Sequence, residues 1–153
     1  EPAATGELDA WASTAHGAKT MAMATGPIDE GEGLFILDFL TGELNCFVIN
    51  PRAGSKFNAK FRANVAEILG VQRNKGGPEY MMVTGNMDFL RGANANRPAN
   101  CVVYVADAIS GNFAAFGLEW NRTAAQMGRP QAGALVLLDV GKARNVELEG
   151  ATP

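Results

Sequence analysis

The side chains that could do chemistry in this chain are few, and they form no recognised catalytic pattern. The single histidine, His16, lies in a segment without the periodicity of a helix or a strand. A histidine acts as a general base only beside a positioned nucleophile, and no GxSxG, HExxH, CxxC or phosphate-binding motif supplies such a partner. We therefore predict a protein that is not an enzyme, with no catalytic residues and no cofactor.

Carboxylates are concentrated in the segment Asp29-Glu30-Gly31-Glu32. Oxygens of this kind bind Ca²⁺, but the segment lacks the regular ligand spacing of a calcium loop. A single histidine in the whole chain also disfavours a zinc site. The sequence favours a solvated acidic turn, and we predict no metal site.

Residues 91–100 are the most distinctive surface segment. The segment has guanidinium and amide groups, from Arg91, Asn94, Asn96 and Arg97, and no large apolar side chain. Loops on a rigid sheet often carry recognition, so this loop could bind a sugar or a carboxylate. The alternative is a plain, long hairpin connection.

These side chains are embedded in a sequence that repeats itself. The string Met-Ala-Thr-Gly at residues 23–26 returns as Met-Val-Thr-Gly at residues 82–85, which is 59 positions later. A hairpin string that ends at Gly42 returns at Gly111, 69 positions later, so the second copy carries ten additional residues. Internal repetition is typical of stacked or radial architectures, in which one unit cannot bury its own faces.

Within each copy, the string Asp-x-(Leu/Ile)-(Thr/Ser)-Gly predicts a hairpin turn. The carboxylates of Asp38 and Asp107 can accept hydrogen bonds from N–H groups two residues on. Gly42 and Gly111 can take the positive φ that closes the turn. Because each aspartate stands where a turn needs one, we interpret both as structural and not catalytic.

The surrounding pattern predicts a mainly β protein with one or two short helices. Residues 1–19 are predicted as an N-terminal arm or leader, and residues 20–153 as a single β-rich domain. That domain consists of two blade-like β-β-β-α units, residues 20–70 and 79–128, followed by a C-terminal β-hairpin at residues 133–148.

The two helices are predicted from apolar spacing and capping residues. Apolar side chains recur at four-residue intervals within residues 57–69, after Ser55 as a potential N-cap and before Gly70 as a C-cap. A shorter helix is predicted at residues 122–127, with Asn121 as its N-cap.

The cysteines and the charge limit the remaining choices. Cys46 and Cys101 do not occupy equivalent positions in the two copies, and they are either small buried hydrophobes or a disulfide. The net charge of −3, without a block of lysines and arginines, disfavours nucleic acid as a partner. No apolar run approaches the roughly 20 residues that a membrane helix needs, so we predict no membrane insertion.

Two resemblances add to this reading. The strand-turn-strand string at residues 34–44 resembles the blade repeat of quinoprotein-type β-propellers, in which an apolar strand runs into an Asp…Thr-Gly hairpin. It implies blade-like sheets and no bound quinone. Over most of the chain, strings that include residues 23–26, 56–59, 82–85 and 111–115 resemble small secreted proteins frequent in planctomycete bacteria. That resemblance implies export and a surface or envelope location, and it supplies no site residues.

The repeat number leads to a prediction of self-assembly. Two and a half blade-like units are too few to close a propeller, which takes about 4–8 blades. Consecutive apolar runs such as residues 34–37 suggest sheets covered on both faces, so at least one face or edge would lack a neighbour within the chain. The arm, with Trp11 as its aromatic anchor, could supply that contact on another subunit.

We therefore predict a secreted, non-enzymatic structural protein that assembles with copies of itself into a filament, a tube or an envelope-associated array. Assembly would use the N-terminal arm and the sheet edges. The alternative is a monomeric secreted binding module that uses the loop at residues 91–100 for sugar or carboxylate ligands.

Overall fold

A computed structural model describes residues 15–71, 77–89 and 96–144 of the 153-residue chain. These described residues are mainly β, with 60% in strands, two main sheets and two short α-helices, which confirms the predicted fold class at this level. In chain order, the strands are β1 (Ala15–Gly17), β2 (Met21–Ile28), β3 (Gly31–Asp38), β4 (Glu43–Asn50), β5 (Lys56–Asn64), β6 (Tyr80–Asn86), β7 (Asn96–Pro98), β8 (Cys101–Asp107), β9 (Asn112–Gly117), β10 (Glu119–Asn121), β11 (Gln131–Ala134) and β12 (Val136–Lys142). The α-helices of this part of the chain are α1 (Val65–Leu69) and α2 (Arg122–Gln126), and Pro51–Ala53 forms one turn of 3₁₀ helix.

The core lies between two sheets. Sheet A has the order β1-β2-β3-β4-β5-β11, and sheet B has the order β12-β9-β8-β6. Neighbouring strands are antiparallel, except that β11 runs parallel to β5. β10 and β7 form a separate antiparallel ribbon. Residues 15–17, which the sequence placed in the arm, form the edge strand β1 of sheet A.

Side chains at every second position of the strands form the core. In β3, Phe35 and Leu37 are fully buried, whereas Leu34 and Ile36 are partly exposed. The same alternation brings to the core Leu44, Cys46, Val48, Val103, Val105, Ala114 and Phe116. A period of two is the pattern of a strand with one covered face. The apolar run at residues 34–37 therefore has one fully covered face and not two, whereas in β8 both Val102 and Val103 are buried.

The prediction of a helix after Ser55 is wrong for most of residues 57–69. The chain forms β5 as far as Asn64, and only Val65–Leu69 is helical. The Asn64 side chain caps this short helix by accepting a hydrogen bond from Glu67 N at 3.1 Å, and Gly70 ends it with a φ of 64°. A spacing of four residues fits both the 3.6-residue period of a helix and the two-residue period of a strand. Because this segment pairs with β4 along its length, it forms the strand β5.

The second predicted helix is confirmed as α2. The Asn121 side chain accepts a hydrogen bond from Ala124 N at 3.0 Å, as expected for an N-cap. The helix ends at Gln126, and Gly128 follows with a φ of 67°. Local capping residues therefore determine both ends of this helix.

The C-terminal segment changes sheets instead of forming a simple hairpin. β11 pairs with β5 of sheet A, the buried Leu135 follows, and β12 then pairs with β9 of sheet B. Residues 145–148, most of the second strand of the predicted hairpin, lie outside the described residues. One short segment thus supplies an edge strand to each sheet.

Candidate functional site

The first predicted turn aspartate, Asp38, holds the turn between β3 and β4. Leu40 N donates a hydrogen bond to Asp38 Oδ1 at 2.8 Å, and Gly42 N donates to the Asp38 carbonyl at 2.7 Å. Gly42 takes a φ of 74°, the left-handed conformation expected at the closing position. The Asp38 carboxylate therefore stabilises the turn.

The second turn aspartate, Asp107, has the same bonds and is more buried. Ile109 N and Ser110 N donate to its carboxylate at 3.0 and 3.2 Å, and Glu79 N, from the segment before β6, donates at 3.0 Å. Burial alone would raise the pKa of Asp107, which is 4% exposed. Hydrogen bonds from the Ser110 side chain and from the three N–H groups outweigh this effect and hold the pKa below its ordinary value. Gly111 closes this turn with a φ of 81°.

Cys46 and Cys101 are buried, free thiols on opposite sheets. Each sulfur lies against a glycine, and the two glycines, Gly26 and Gly33, are paired across β2 and β3. A methyl group at Gly26 would collide with Cys101 Sγ, and one at Gly33 would lie 3.3 Å from Cys46 Sγ. Burial raises the pKa of both thiols, that of Cys101 to about 11, and the nearby Cys101 adds to the effect on Cys46. Both thiols therefore stay protonated near neutral pH. The disulfide that the sequence left as an alternative is not formed in this structure.

The acidic segment forms the turn between β2 and β3, and two arginines bind it. Arg52 Nε and Nη2 donate to the two Glu30 carboxylate oxygens at 2.8 and 2.9 Å. Arg122 Nε and Nη2 contact Asp29 Oδ2 and Oδ1 at 2.8 and 2.9 Å, in a less exposed environment. The hydrogen bond and charge of Arg52 lower the pKa of Glu30. Among the described residues, no group of three or more potential metal ligands is brought together.

A cavity of about 330 Å³ lies beside this turn, between β10 and α2. The side chain of Asn50 fixes one wall, since its amide donates to the Ala125 carbonyl at 2.9 Å and its oxygen accepts from Arg52 N at 2.9 Å. Trp120 also lines the cavity, and its indole packs at 6.4 Å from the Phe61 ring, measured between ring centroids. Sequence reasoning missed this cavity, because its residues come from three separated segments.

Two residues that line the cavity each carry a buried N–H group that has no acceptor among the described residues. Trp120 is 2% exposed, and its Nε1 has no hydrogen-bond partner in the described part of the chain. Arg122 Nη1 is likewise buried and unpaired, although Nε and Nη2 of the same guanidinium bind Asp29. Buried polar groups are normally paired. These two donors therefore mark a place where an oxygen atom is expected.

The predicted binding loop ends next to this cavity. β7 pairs with β10, and Arg97 stands opposite Trp120 in that ribbon. Asn96 is also in β7, whereas Arg91 and Asn94 lie outside the described residues. The predicted assembly residue, Trp11, also lies outside the described residues.

A larger, open groove of about 950 Å³ lies by sheet A, between β5, α1 and β11. Its charged side chains have both signs: Glu43, Lys60, Arg62 and Glu67. The Arg62–Glu43 pair, at 3.7 Å, is solvent-exposed. None of the unpaired buried atoms among the described residues belongs to a residue lining this groove. The smaller cavity is therefore the better candidate site.

Comparisons with protein-family models, curated proteins and solved structures found no match for this chain. No described helix is long and apolar enough to cross a membrane. At the cavity, the carboxylates of Glu30 and Asp29 are each paired with an arginine.

Proposed function

We propose that this protein is an exported, non-enzymatic structural subunit that assembles with copies of itself. The observation that carries the proposal is β12, the edge strand of sheet B. Its four large apolar side chains are 38–52% exposed: Val136, Leu137, Leu138 and Val140. An edge strand with unpaired backbone groups and apolar side chains is a template for pairing with another chain.

The apolar surface continues from β12 across the outer face of sheet B. Met81, Val83, Tyr104 and Phe113 are exposed there, and cross-strand pairing makes them neighbours. With Val136 and Leu138 of β12, these four expose on the order of 500 Å², against about 800 Å² buried per partner in a standard interface. Leu137 and Val140 pair with the buried Phe116 and Ala114 and therefore lie on the other face of β12. Monomers rarely expose more than a few hundred Å² of contiguous apolar surface.

A second copy of the chain is the occupant that fits this surface. Antiparallel pairing of two β12 strands would satisfy backbone groups at the edge and join two apolar faces into one sheet. Sheet A ends in two further edge strands, β1 and β11. A second, non-closing contact at one of them would extend a dimer into a filament or tube. We propose that the arm with Trp11 adds contacts to the neighbouring subunit.

We further propose that the chain consists of two blade-like units that arose by duplication. β2-β3-β4 and β6-β8-β9 are both antiparallel three-strand sets, each with the same aspartate turn. Asparagine caps, Asn64 and Asn121, precede the helix in each half. The Thr84 hydroxyl donates to the Thr25 carbonyl at 2.7 Å, and these threonines are separated by the repeat offset of 59 residues.

The non-enzymatic part of the proposal is supported by the use of the carboxylates. Asp38 and Asp107 accept from turn N–H groups, whereas Asp29 and Glu30 bind arginines. Each of these carboxylates is thus engaged by a structural partner. The exported location is supported by the resemblance to small secreted proteins.

The test measures particle mass by light scattering and particle shape by negative-stain imaging. We expect wild-type assemblies much heavier than the 16.1 kDa chain, and dissociation of Val140→Lys, because a lysine on an edge strand opposes sheet extension. Met127→Lys is the matched control, since Met127 is 59% exposed but lies at the end of α2, outside sheet B. Deletion of residues 1–14, which spares β1, should also yield soluble monomers.

Two results would overturn the assembly proposal. One is a wild-type protein that stays monomeric at high concentration, and the other is equal assembly of Val140→Lys and Met127→Lys. The second candidate, a monomeric secreted binding module, would then take over. It is favoured by the pairing of β7, at the end of the predicted binding loop, with the strand that carries Trp120.

A further inference from the structure

The cavity beside the β2–β3 turn has the size of a small-ligand site. Its volume of about 330 Å³ is at the lower end of the roughly 300–1,000 Å³ range of ligand pockets. Such a volume admits a monosaccharide and excludes a folded partner. The walls come from the turn, from β10 and from α2, which are tied together by the Arg122–Asp29 pair and by the Asn50–Ala125 hydrogen bond.

The unpaired groups of the cavity define what the ligand must offer. Trp120 Nε1 and Arg122 Nη1 are both donors, both buried and both without an acceptor in the described residues. Burying an N–H group without an acceptor is unfavourable. A ligand therefore has to present at least one acceptor oxygen.

The charges of the cavity define what the ligand must not carry. Arg122 is neutralised by Asp29, and Arg52 is neutralised by Glu30, both through two-point contacts. An anionic ligand would find no unbalanced positive charge and would approach two carboxylates. A cationic ligand would likewise meet two guanidinium groups. A hydroxyl group suits both partners, because it can accept from an N–H and donate to a carboxylate oxygen.

We propose that this cavity binds a neutral polyhydroxylated ligand of monosaccharide size. Trp120 Nε1 and Arg122 Nη1 donate to its hydroxyl oxygens, and the rim carboxylates of Asp29 and Glu30 accept from its hydroxyl hydrogens. The site goes beyond the assembly function and does not depend on it, because the cavity is formed outside β12 and the outer face of sheet B.

The test follows the indole N–H signal of Trp120 by proton–nitrogen NMR. The chain has two tryptophans, so Trp11→Phe leaves Trp120 as the source of the signal. Glucose, galactose and mannose are the probes, and acetate is the charged comparator. We expect at least one of the sugars to move the Trp120 signal to lower field in a saturable way, and acetate to leave it in place.

Two variants connect the signal to the proposed contacts, and calorimetry with the responding sugar measures their affinity. Trp120→Phe keeps an aromatic ring beside Phe61 but removes Nε1–H, and should weaken binding by about three- to tenfold, the value of one hydrogen bond. Arg122→Lys keeps a positive charge beside Asp29 but removes Nη1, and should weaken binding to a similar extent. Tyr104→Phe is the matched control, since it removes one hydroxyl from the outer face of sheet B.

Three results would overturn the site. The Trp120 signal could respond to none of the sugars, which would mean that only water occupies the cavity. It could respond equally to acetate, or Trp120→Phe and Arg122→Lys could bind as tightly as Tyr104→Phe. Repeating the titration on Val140→Lys separates the two proposals, because loss of assembly should leave sugar binding unchanged.

Discussion

The two turn aspartates form a matched pair for mutation, since they have equivalent positions but different surroundings. Asp38 accepts one N–H bond with its carboxylate, from Leu40, and is partly exposed. Asp107 accepts three, including one from Glu79 in a distant segment, and is buried. Alanine at either position removes the carboxylate and leaves the turn glycine in place. The difference between the two variants therefore measures the additional bonds of Asp107.

The magnitude follows from the number of bonds. Counting only the N–H bonds to the carboxylate, at about 1 kcal/mol of net stability each, Asp38→Ala should cost about 1 kcal/mol and Asp107→Ala about 3 kcal/mol. For a chain of this size, these losses correspond to a fall in Tm of about 2–4 °C and about 6–12 °C. The free energy of unfolding is measured by urea denaturation followed by circular dichroism. Equal losses for both variants, or a loss below about 1 kcal/mol for Asp107→Ala, would refute the reasoning.

The pH dependence of Asp107 provides a second measurement. Its folded-state pKa lies below the ordinary value, which is about 3.9 in an unfolded chain. The ionised carboxylate therefore contributes stability above about pH 4, and that contribution is lost as the pH falls through the lower, folded-state pKa. Asp107→Asn keeps one acceptor oxygen but cannot ionise. The stability difference between wild type and Asp107→Asn should narrow on acidification, and a difference that is constant from neutral to acidic pH would contradict this account.

Three further predictions test the packing and the helix ends. Gly26→Ala should lower the free energy of unfolding by about 1–3 kcal/mol in urea denaturation, because the added methyl group overpacks the interface against Cys101 Sγ. Adding Cys101→Ala should recover part of this loss. If the losses of the two single variants simply add in the double variant, the contact is not supported. The thiols of Cys46 and Cys101 should react with a chromogenic thiol reagent only as the protein unfolds, because burial shields them and raises the pKa of each, so rapid labelling of the native protein would contradict their burial. Asn64→Ala and Asn121→Ala should each lower the free energy of unfolding by about 0.5–2 kcal/mol through loss of an N-cap, and an unchanged Tm would show that the cap has no role.

The sequence was sufficient wherever neighbouring residues decide the conformation. The Asp38 turn, the Asp107 turn and the Asn121 cap each depend on side-chain bonds that reach two or three residues along the chain. Such short-range bonds form almost independently of the rest of the fold. Local residue types therefore predicted these features correctly.

The sequence was insufficient where distant segments decide. Residues 56–64 have an apolar spacing that suits a helix or a strand, and pairing with β4 selects the strand. The acidic turn is separated by 93 residues from Arg122, its partner at the cavity. The repeat offset predicts matching turns but cannot predict which surfaces of the two sheets meet. The cavity forms where segments distant in sequence come together, so the sequence did not predict it.

The sheet change at Leu135 has a consequence for the order in which the protein can fold during synthesis. β5 and β9 emerge from the ribosome well before β11 and β12, which pair with them. The pairing of Gln131 with Ala59 joins residues 72 positions apart, and closure of such a long loop is slow. A nascent chain would therefore leave β5 and β9 as open edges until residues 131–142 have been made. Premature termination before residue 131 would release a product in which β5 and β9 are uncovered edges, and such a product would be prone to aggregation.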